Sequence, residues 1–335
     1  MLEMTALSEF TTLRVGGSPK SLVLATTEEQ IIETVAKADA ENRPIFILGG
    51  GSNVVVSDDF SGDALVIASK GIENDTSVCA GAWVTVAAGE RLDDFVAHAC
   101  VSGWIGVEAL SGIPGTVGAC PIQNVGAYGQ QVGDTIAQVR AYNRETKQID
   151  TLFAAQCEFG YRTSVFKKHP TRWIILSVTF QFPLGDLGAP VIYKDLTSEL
   201  GISSGERAPL QQVRDAVLSV RTRKGMVLSD SDFDTWSAGS FFLNPSVDHA
   251  PEGTPSYVSA DGRTKVSAAW LIEHAGFAKG YGLNNRVTLS TKHALAITNR
   301  GRGTATDVLE LAAHIQQGVA EKFGISLEIE PQIIK

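Results

Sequence analysis

Several short segments of this chain join glycines to side chains capable of chemistry. Gly49-Gly50-Gly51-Ser52-Asn53 lies between two apolar runs. It lacks the Lys of a Walker A loop, and no GxGxxG leads from it into a helix. Two readings stay open: a glycine hairpin, or a nest of backbone N–H groups that cradles a phosphate while Ser52 and Asn53 add donors. Gly112-Ile113-Pro114-Gly115-Thr116-Val117-Gly118 is a second glycine cluster, with Gln123-Asn124-Val125-Gly126-Ala127-Tyr128-Gly129 just after it. Two such loops suit a long ligand with a pyrophosphate and an aromatic ring, which is a dinucleotide. Without a Rossmann fingerprint, a flavin is favoured over a nicotinamide as the tightly held cofactor.

Phe159-Gly160-Tyr161-Arg162-Thr163-Ser164 sets an Arg beside a Tyr at the end of a polar turn. A solvated surface group is the ordinary alternative for such an Arg. Ala238-Gly239-Ser240-Phe241-Phe242-Leu243-Asn244-Pro245 puts one Ser between Gly and two Phe, where a serine ordinarily satisfies a turn. No GxSxG elbow and no His beside Ser240 support a hydrolase triad. Glu328 and Glu330 alternate with Ile325, Leu327 and Ile329, on the polar face of an expected terminal strand. Cys79, Cys100, Cys120 and Cys157 show no CxxC pair and no metal-ligand spacing, so reduced thiols are expected and a metal site is not.

Elements must hold these groups in place. A strand is expected at 22–25, then a helix opened by a capping box of Thr26 and Glu29, with Ile31, Val35 and Ala38 on one face. Strands follow at 45–48, 54–56 and 65–68, so the first seventy residues read as a βαβ-type unit with a glycine turn inside it. A strand at 83–87 and a helix at 92–101 precede a long Gly- and Pro-rich stretch at 106–130, and a loop of that length is usually functional. Strands resume at 139–143 and 173–182. Pro209 starts a helix that ends near Gly225, and the polar stretch 226–237 marks a domain boundary. A last helix runs from about Thr306 to Gly324, followed by the strand at 325–330.

Composition bounds the function. Hydrophobic residues make up 44% of the 335, which excludes a chain disordered throughout. Thirty-seven acidic against twenty-eight basic side chains leave a net charge of -9. That argues against a nucleic-acid scaffold or an anionic lipid surface as partner. A small anionic ligand must therefore be met by local cations and backbone amides. The amino-terminal stretch 1–17 carries Glu3 and Glu9 and no signal-peptide core, and the apolar run at 173–182 is interrupted by Ser177, Thr179 and Gln181. A cytoplasmic location is expected.

Taken in order, Leu48-Gly49-Gly50-Gly51-Ser52-Asn53-Val54, the block from Ser111 to Gly118, Pro121-Ile122-Gln123-Asn124-Val125-Gly126-Ala127-Tyr128-Gly129, Phe159-Gly160-Tyr161-Arg162 and Gly239-Ser240-Phe241-Phe242 closely resemble the UDP-N-acetylenolpyruvoylglucosamine reductase family over nearly the whole chain. The resemblance implies an α+β protein: a two-part FAD-binding region of the vanillyl-alcohol-oxidase type plus a carboxyl-terminal α+β substrate-binding domain. The implied divisions are 1–70 with a return strand in 325–335, 71–225, and 226–324. It implies non-covalent FAD, NADPH as reductant, and the enolpyruvyl ether of UDP-N-acetylglucosamine as substrate, reduced to a lactyl ether for peptidoglycan synthesis.

Roles follow from the resemblance at matching positions. Arg162 and Glu330 would polarise the enolpyruvyl group, and Ser240 would give the proton. Gly49, Gly50, Gly51, Ser52, Asn53, Ser111, Gly112, Pro114, Gly115, Gly118, Asn124, Gly126, Ala127 and Tyr128 would line FAD. Tyr161, Tyr193, Arg221, Lys224 and Asn244 would join the catalytic residues at the substrate. Tyr193 is assigned through Ala189-Pro190-Val191-Ile192-Tyr193-Lys194-Asp195-Leu196, which resembles the Tyr loop of one subgroup. Arg221 and Lys224, three apart, are expected to share a helix face. Leu243 stands where many relatives have Lys. Pro331 follows the matched Glu instead of preceding it, which leaves Glu328 as a competing carboxylate. The alternative is an FAD-dependent sugar or lactone oxidase of the same fold. Such oxidases often tether flavin through a His in the first glycine loop, and none lies at 49–53.

Overall fold

The computed structural model describes residues 5–77, 79–258 and 262–335, so Glu3 lies outside it. The chain forms two compact units: residues 20–50 with 62–222, and residues 5–19 with 51–61 and 223–335. Residues 1–70 are thus divided between them.

In the first unit, strands Ser21–Ala25, Asp63–Ile67 and Ile45–Leu48 lie parallel in that order, joined by the helix Glu28–Ala40. Ile31, Val35 and Ala38 are its buried stripe. The cap lies one residue later than expected: Thr27 accepts from the Gln30 amide, while the Gln30 side chain reaches back to the Thr26 amide. A five-stranded antiparallel sheet runs in the order Gln148–Phe153, Ile136–Asn143, Trp173–Phe182, Gly81–Ala87, Ile72–Ser77. The helix Leu92–Val101 lays Phe95 on it, with ring centroids 4.8 Å from Phe180 and 6.1 Å from Phe182. Trp104 stacks on Phe182 at 5.9 Å and extends this ring cluster. The helices Lys194–Leu200 and Leu210–Arg223 bury Val191, Leu196, Val213, Val217 and Val220 in a smaller cluster.

The other unit packs around the helix Ala305–Phe323. Thr304 and Asp307 cap it reciprocally, and Gly324 ends it with φ +67°. Its Val308, Leu311, Ile315 and Val319 meet Leu271 and Ile272 of the helix Ala268–His274, together with Phe241, Phe242 and Leu327. The terminal segment differs from the expected strand at 325–330. Its alternation holds, with Leu327 buried and Glu328 exposed, but only Ile329 makes a bridge, to Phe242. The regular strand is Gln332–Ile334, past Pro331, parallel to Val54–Val56. The chain end thus pairs with a segment from the first seventy residues. Among the described residues, no helix is long and apolar enough to cross a membrane.

Phe180 is fully buried between Phe95 and Phe182. Phe180→Ala leaves a ring-sized void and should cost about 3–5 kcal/mol, read as a lowered thermal midpoint for the unit that holds it. An unchanged midpoint would show that this ring cluster is not the core of that sheet.

Candidate functional site

The glycine loops fit a bound dinucleotide for a steric reason. A Cβ on Gly50 would stand 2.4 Å from the Gly115 Cα, so main chain meets main chain with no room for a side chain. Gly51 follows with φ +60°. The amides of Gly50, Gly51 and Ser52 donate to nothing among the described residues. Such amides suit an anionic oxygen. The corresponding residues fit FAD.

The second cluster is held from beneath. Gly118 donates to the Ala88 carbonyl at 2.8 Å, and the Gly115 carbonyl accepts from Leu92 at 3.0 Å. Ser111 is fully buried, and its hydroxyl donates to the Glu108 carbonyl at 2.7 Å. The Gly112 amide is engaged by the Asp93 carboxylate at 2.6 Å. Ser111 and Gly112 therefore shape this loop from within, and Pro114 is half-buried beside Gly115. Arg214 grips Asp93 with two nitrogens at 2.6 and 3.1 Å. Arg221 is buried, with Nη2 3.4 Å from the Gly112 carbonyl. Burial pushes its pKa down, partly offset by Tyr128 and Asp93. The helix stops at Arg223, before Lys224, so Arg221 and Lys224 do not share a helix face as expected.

Asn124 joins three loop segments. Only 1% exposed and left-handed at φ +48°, it accepts from Gly133 at 2.8 Å and donates to Gln131 at 2.9 Å and to the Gly160 carbonyl at 3.1 Å. Gly126–Ala127 pairs with Gln130–Gln131 across a two-residue turn in which Tyr128 has φ +49° and Gly129 φ +87°. This is the primed geometry that hairpins of this length require. Arg162 also sits left-handed at φ +53°, in a tight turn closed by Gly160 and Thr163. Its Nη2 donates to the Gly126 carbonyl at 3.0 Å, and its guanidinium lies 5.6 Å from the Tyr161 ring centroid. Tyr193 is half-exposed, and its ring meets that of Tyr128 edge-on at 5.9 Å. Arg162, Tyr161, Tyr128, Asn124 and Gly126 thus gather in one place in the fold.

In the other unit, Ser240 follows Gly239 (φ +74°), where an added Cβ would meet only open space. The Ser240 hydroxyl makes no hydrogen bond among the described residues. Phe241 donates to the Leu295 carbonyl at 2.8 Å and accepts from the Glu330 amide at 3.0 Å. Glu330 is therefore registered beside Phe241 and is half-buried, whereas Glu328 is exposed. Asn244 is half-buried, and its oxygen accepts from the Ala268 amide at 3.0 Å. Ser52 and Asn53 are half-buried as well, the Asn53 carbonyl accepting from Gln332 at 3.0 Å.

Sequence reasoning missed Asp93, Arg214 and Glu108. The signal for Asp93 is an acid in a first helical turn, where a carboxylate ordinarily serves the helix's own amino-terminal end. Burial works to raise the Asp93 pKa, but the Arg214 hydrogen bond, the Gly112 amide and the Arg214 charge outweigh it and hold the carboxyl below its ordinary value. Its contribution is then present above the unfolded pKa and lost only as pH falls through the lower folded one. Asp93→Asn should weaken FAD binding about tenfold at neutral pH. It should also remove any Asp93-linked loss of FAD in the acid range, with flavin fluorescence as the readout. An Asp93→Asn affinity for FAD equal to that of the wild type at neutral pH would count against this clamp.

Two family models match the chain: an FAD binding domain over residues 19–151, and the carboxyl-terminal domain of UDP-N-acetylenolpyruvoylglucosamine reductase over residues 231–334. A reductase of that name from Cutibacterium acnes is 50% identical over 337 residues, covering 99% of this chain and 90% of the relative. Another from Streptomyces avermitilis is 46% identical over 342 residues, covering 97% and 92%. Among solved structures, UDP-N-acetylenolpyruvylglucosamine reductase from Thermus caldophilus matches with a TM-score of 0.66 and 25% identity, over 99% of this chain and 98% of that one. The α+β class and the FAD-binding region implied by the resemblance hold. This chain belongs to the UDP-N-acetylenolpyruvoylglucosamine reductase family.

Proposed function

We propose that this protein reduces the enolpyruvyl ether of UDP-N-acetylglucosamine to UDP-N-acetylmuramate, with FAD as cofactor and NADPH as reductant, as a cytoplasmic step in peptidoglycan precursor synthesis. The full-length likeness to relatives that carry the reductase name is the observation that supports this over an oxidase of the same fold. In this reading, residues 1–70 with 325–335 and residues 71–225 hold FAD, and residues 226–324 receive the sugar nucleotide. FAD held by these residues would supply the hydride chemistry, with NADPH as its source of electrons.

The chain's own residues then do four things. The amides of the 49–53 loop and the Asp93-braced glycine cluster bind phosphate oxygens. Tyr161, Tyr193, Arg221, Lys224 and Asn244 bind the nucleotide sugar, with 189–196 as the Tyr loop of the subgroup. Arg162 and Glu330 polarise the enolpyruvyl group and stabilise the charge that develops beside its carboxylate. Ser240 gives its proton to the carbon that holds this charge. A serine is a poor acid at neutral pH, but a carbanion-like partner is basic enough to take its proton if geometry is tight. An uncommitted hydroxyl, as here, is what that step needs.

Stopped-flow measurement of the two half-reactions tests the assignment. Ser240→Ala should leave FAD bound and NADPH-driven flavin reduction nearly intact, while reoxidation by the enolpyruvyl sugar slows by orders of magnitude. Reoxidation at the wild-type rate would end the role of Ser240.

The two carboxylates near the chain end are separated by a paired comparison. Glu330→Gln should lower turnover by about 10²–10³, the usual loss for a positioned group at developing charge. Glu328→Gln should be nearly silent because that side chain is exposed. The opposite ranking would transfer the role to Glu328.

A further inference from the structure

We propose that Thr12 is a positioning residue that couples the glycine loop at 49–53 to the loop carrying Ser240. Thr12 is 5% exposed. Its amide donates to the Gly51 carbonyl at 3.0 Å, and its hydroxyl donates to the Ser237 carbonyl at 2.7 Å. The same hydroxyl stands 3.4 Å from the Gly51 carbonyl. A hydroxyl has one hydrogen, so the short contact takes it and the amide serves Gly51. One residue thus holds both loops, through two donors.

Each partner is fixed tightly enough for this link to matter. A Cβ on Gly51 would stand 2.0 Å from the Phe10 carbonyl oxygen and 2.7 Å from the Thr11 Cα, so the segment at 10–12 and the glycine loop are in main-chain contact. The Asn299 side-chain amide donates to the carbonyls of Leu13 and Arg14 at 3.1 and 3.0 Å, while its backbone amide donates to the Trp236 carbonyl at 2.9 Å. Asn299 therefore ties the same two segments together one step beyond Thr12. Downstream, Ser237 bridges to Thr298, and Phe241 is bonded to Leu295. Ser240 lies between these anchors. Without the Thr12 hydroxyl, the Ser237 carbonyl loses its donor, and the upstream anchor can shift against the glycine loop.

The proposal rests on the reading of Ser240 as proton donor. Its first test does not depend on activity. Hydrogen exchange is followed by mass spectrometry on the full chain with FAD bound, in Thr12→Val and Thr12→Ser. Loss of one buried hydrogen bond should speed exchange about tenfold at both 49–53 and 236–241 in Thr12→Val. Thr12→Ser keeps the hydroxyl and should match the wild type. In half-reactions, Thr12→Val should slow reoxidation by saturating enolpyruvyl sugar about tenfold, with reduction by NADPH within about twofold. A response confined to one loop, or a Thr12→Ser that behaves like Thr12→Val, overturns the coupling. Ser240→Ala measured alongside separates the two readings. Full-rate reoxidation there overturns the proton-donor role, and a slow Ser240→Ala beside a full-rate Thr12→Val overturns only the coupling.

Discussion

Main chain must touch main chain for this fold to form its candidate cofactor cradle. Gly50 meets Gly115, and an added Cβ on Gly118 would stand 2.5 Å from the Ala88 Cβ. Because the backbones are this close, their polar groups can bond across the contact. Gly118 reaches Ala88, and Leu92 reaches Gly115. That second bond positions the start of the helix Leu92–Val101, and Asp93 in its first turn then holds the Gly112 amide. A single steric constraint therefore propagates into a helix terminus and a charged clamp.

Strain marks the neighbouring site. Asn124, Tyr128 and Arg162 are all left-handed, and for non-glycine residues such conformations cost of order 1–3 kcal/mol each. They persist because the surroundings overdetermine them. Asn124 spends both ends of its amide on Gly133, Gln131 and Gly160, and Arg162 is held by the Gly126 carbonyl. The consequence is an Arg whose guanidinium is placed by backbone geometry and not by a flexible stem. In the proposed reaction this would make Arg162 a preorganised cation, with its ordering cost met by folding.

Elements that bury a continuous or periodic apolar face were legible in the residues. The helix Leu92–Val101 and the strand Trp173–Phe182 fall where their patterns put them, and Ala305–Phe323 lies within a residue of its reading. Ile72–Ser77 was not legible, because an edge strand reading Ile-Glu-Asn-Asp-Thr-Ser buries almost nothing and takes its order from Gly81–Ala87 alone. Gln148–Phe153 is an edge strand with the same difficulty. The terminal strand was misplaced because 325–330 alternates so cleanly. Alternation reports burial, and here Leu327 is buried against the last helix without a ladder partner along the whole run. In the candidate site, motif order pointed to the glycine loops and the 123–129 and 159–164 turns. Asp93, Glu108 and Thr12 were invisible to it, since each acts on a loop distant in sequence through a hydrogen bond that only folding creates, the Glu108 carboxylate accepting from the Ala189 amide at 2.6 Å.

An acidic chain that binds anions faces an electrostatic obstacle, and the arrangement of its cations shows how it is met. Arg214 is neutralised by Asp93 and so braces structure. Arg221 is different, because its guanidinium is buried beside the Gly112 carbonyl, and burial pushes its pKa below the ordinary guanidinium value. The net charge of -9 then works as a filter, with attraction confined to positions where the chain has placed a cation or a row of amides.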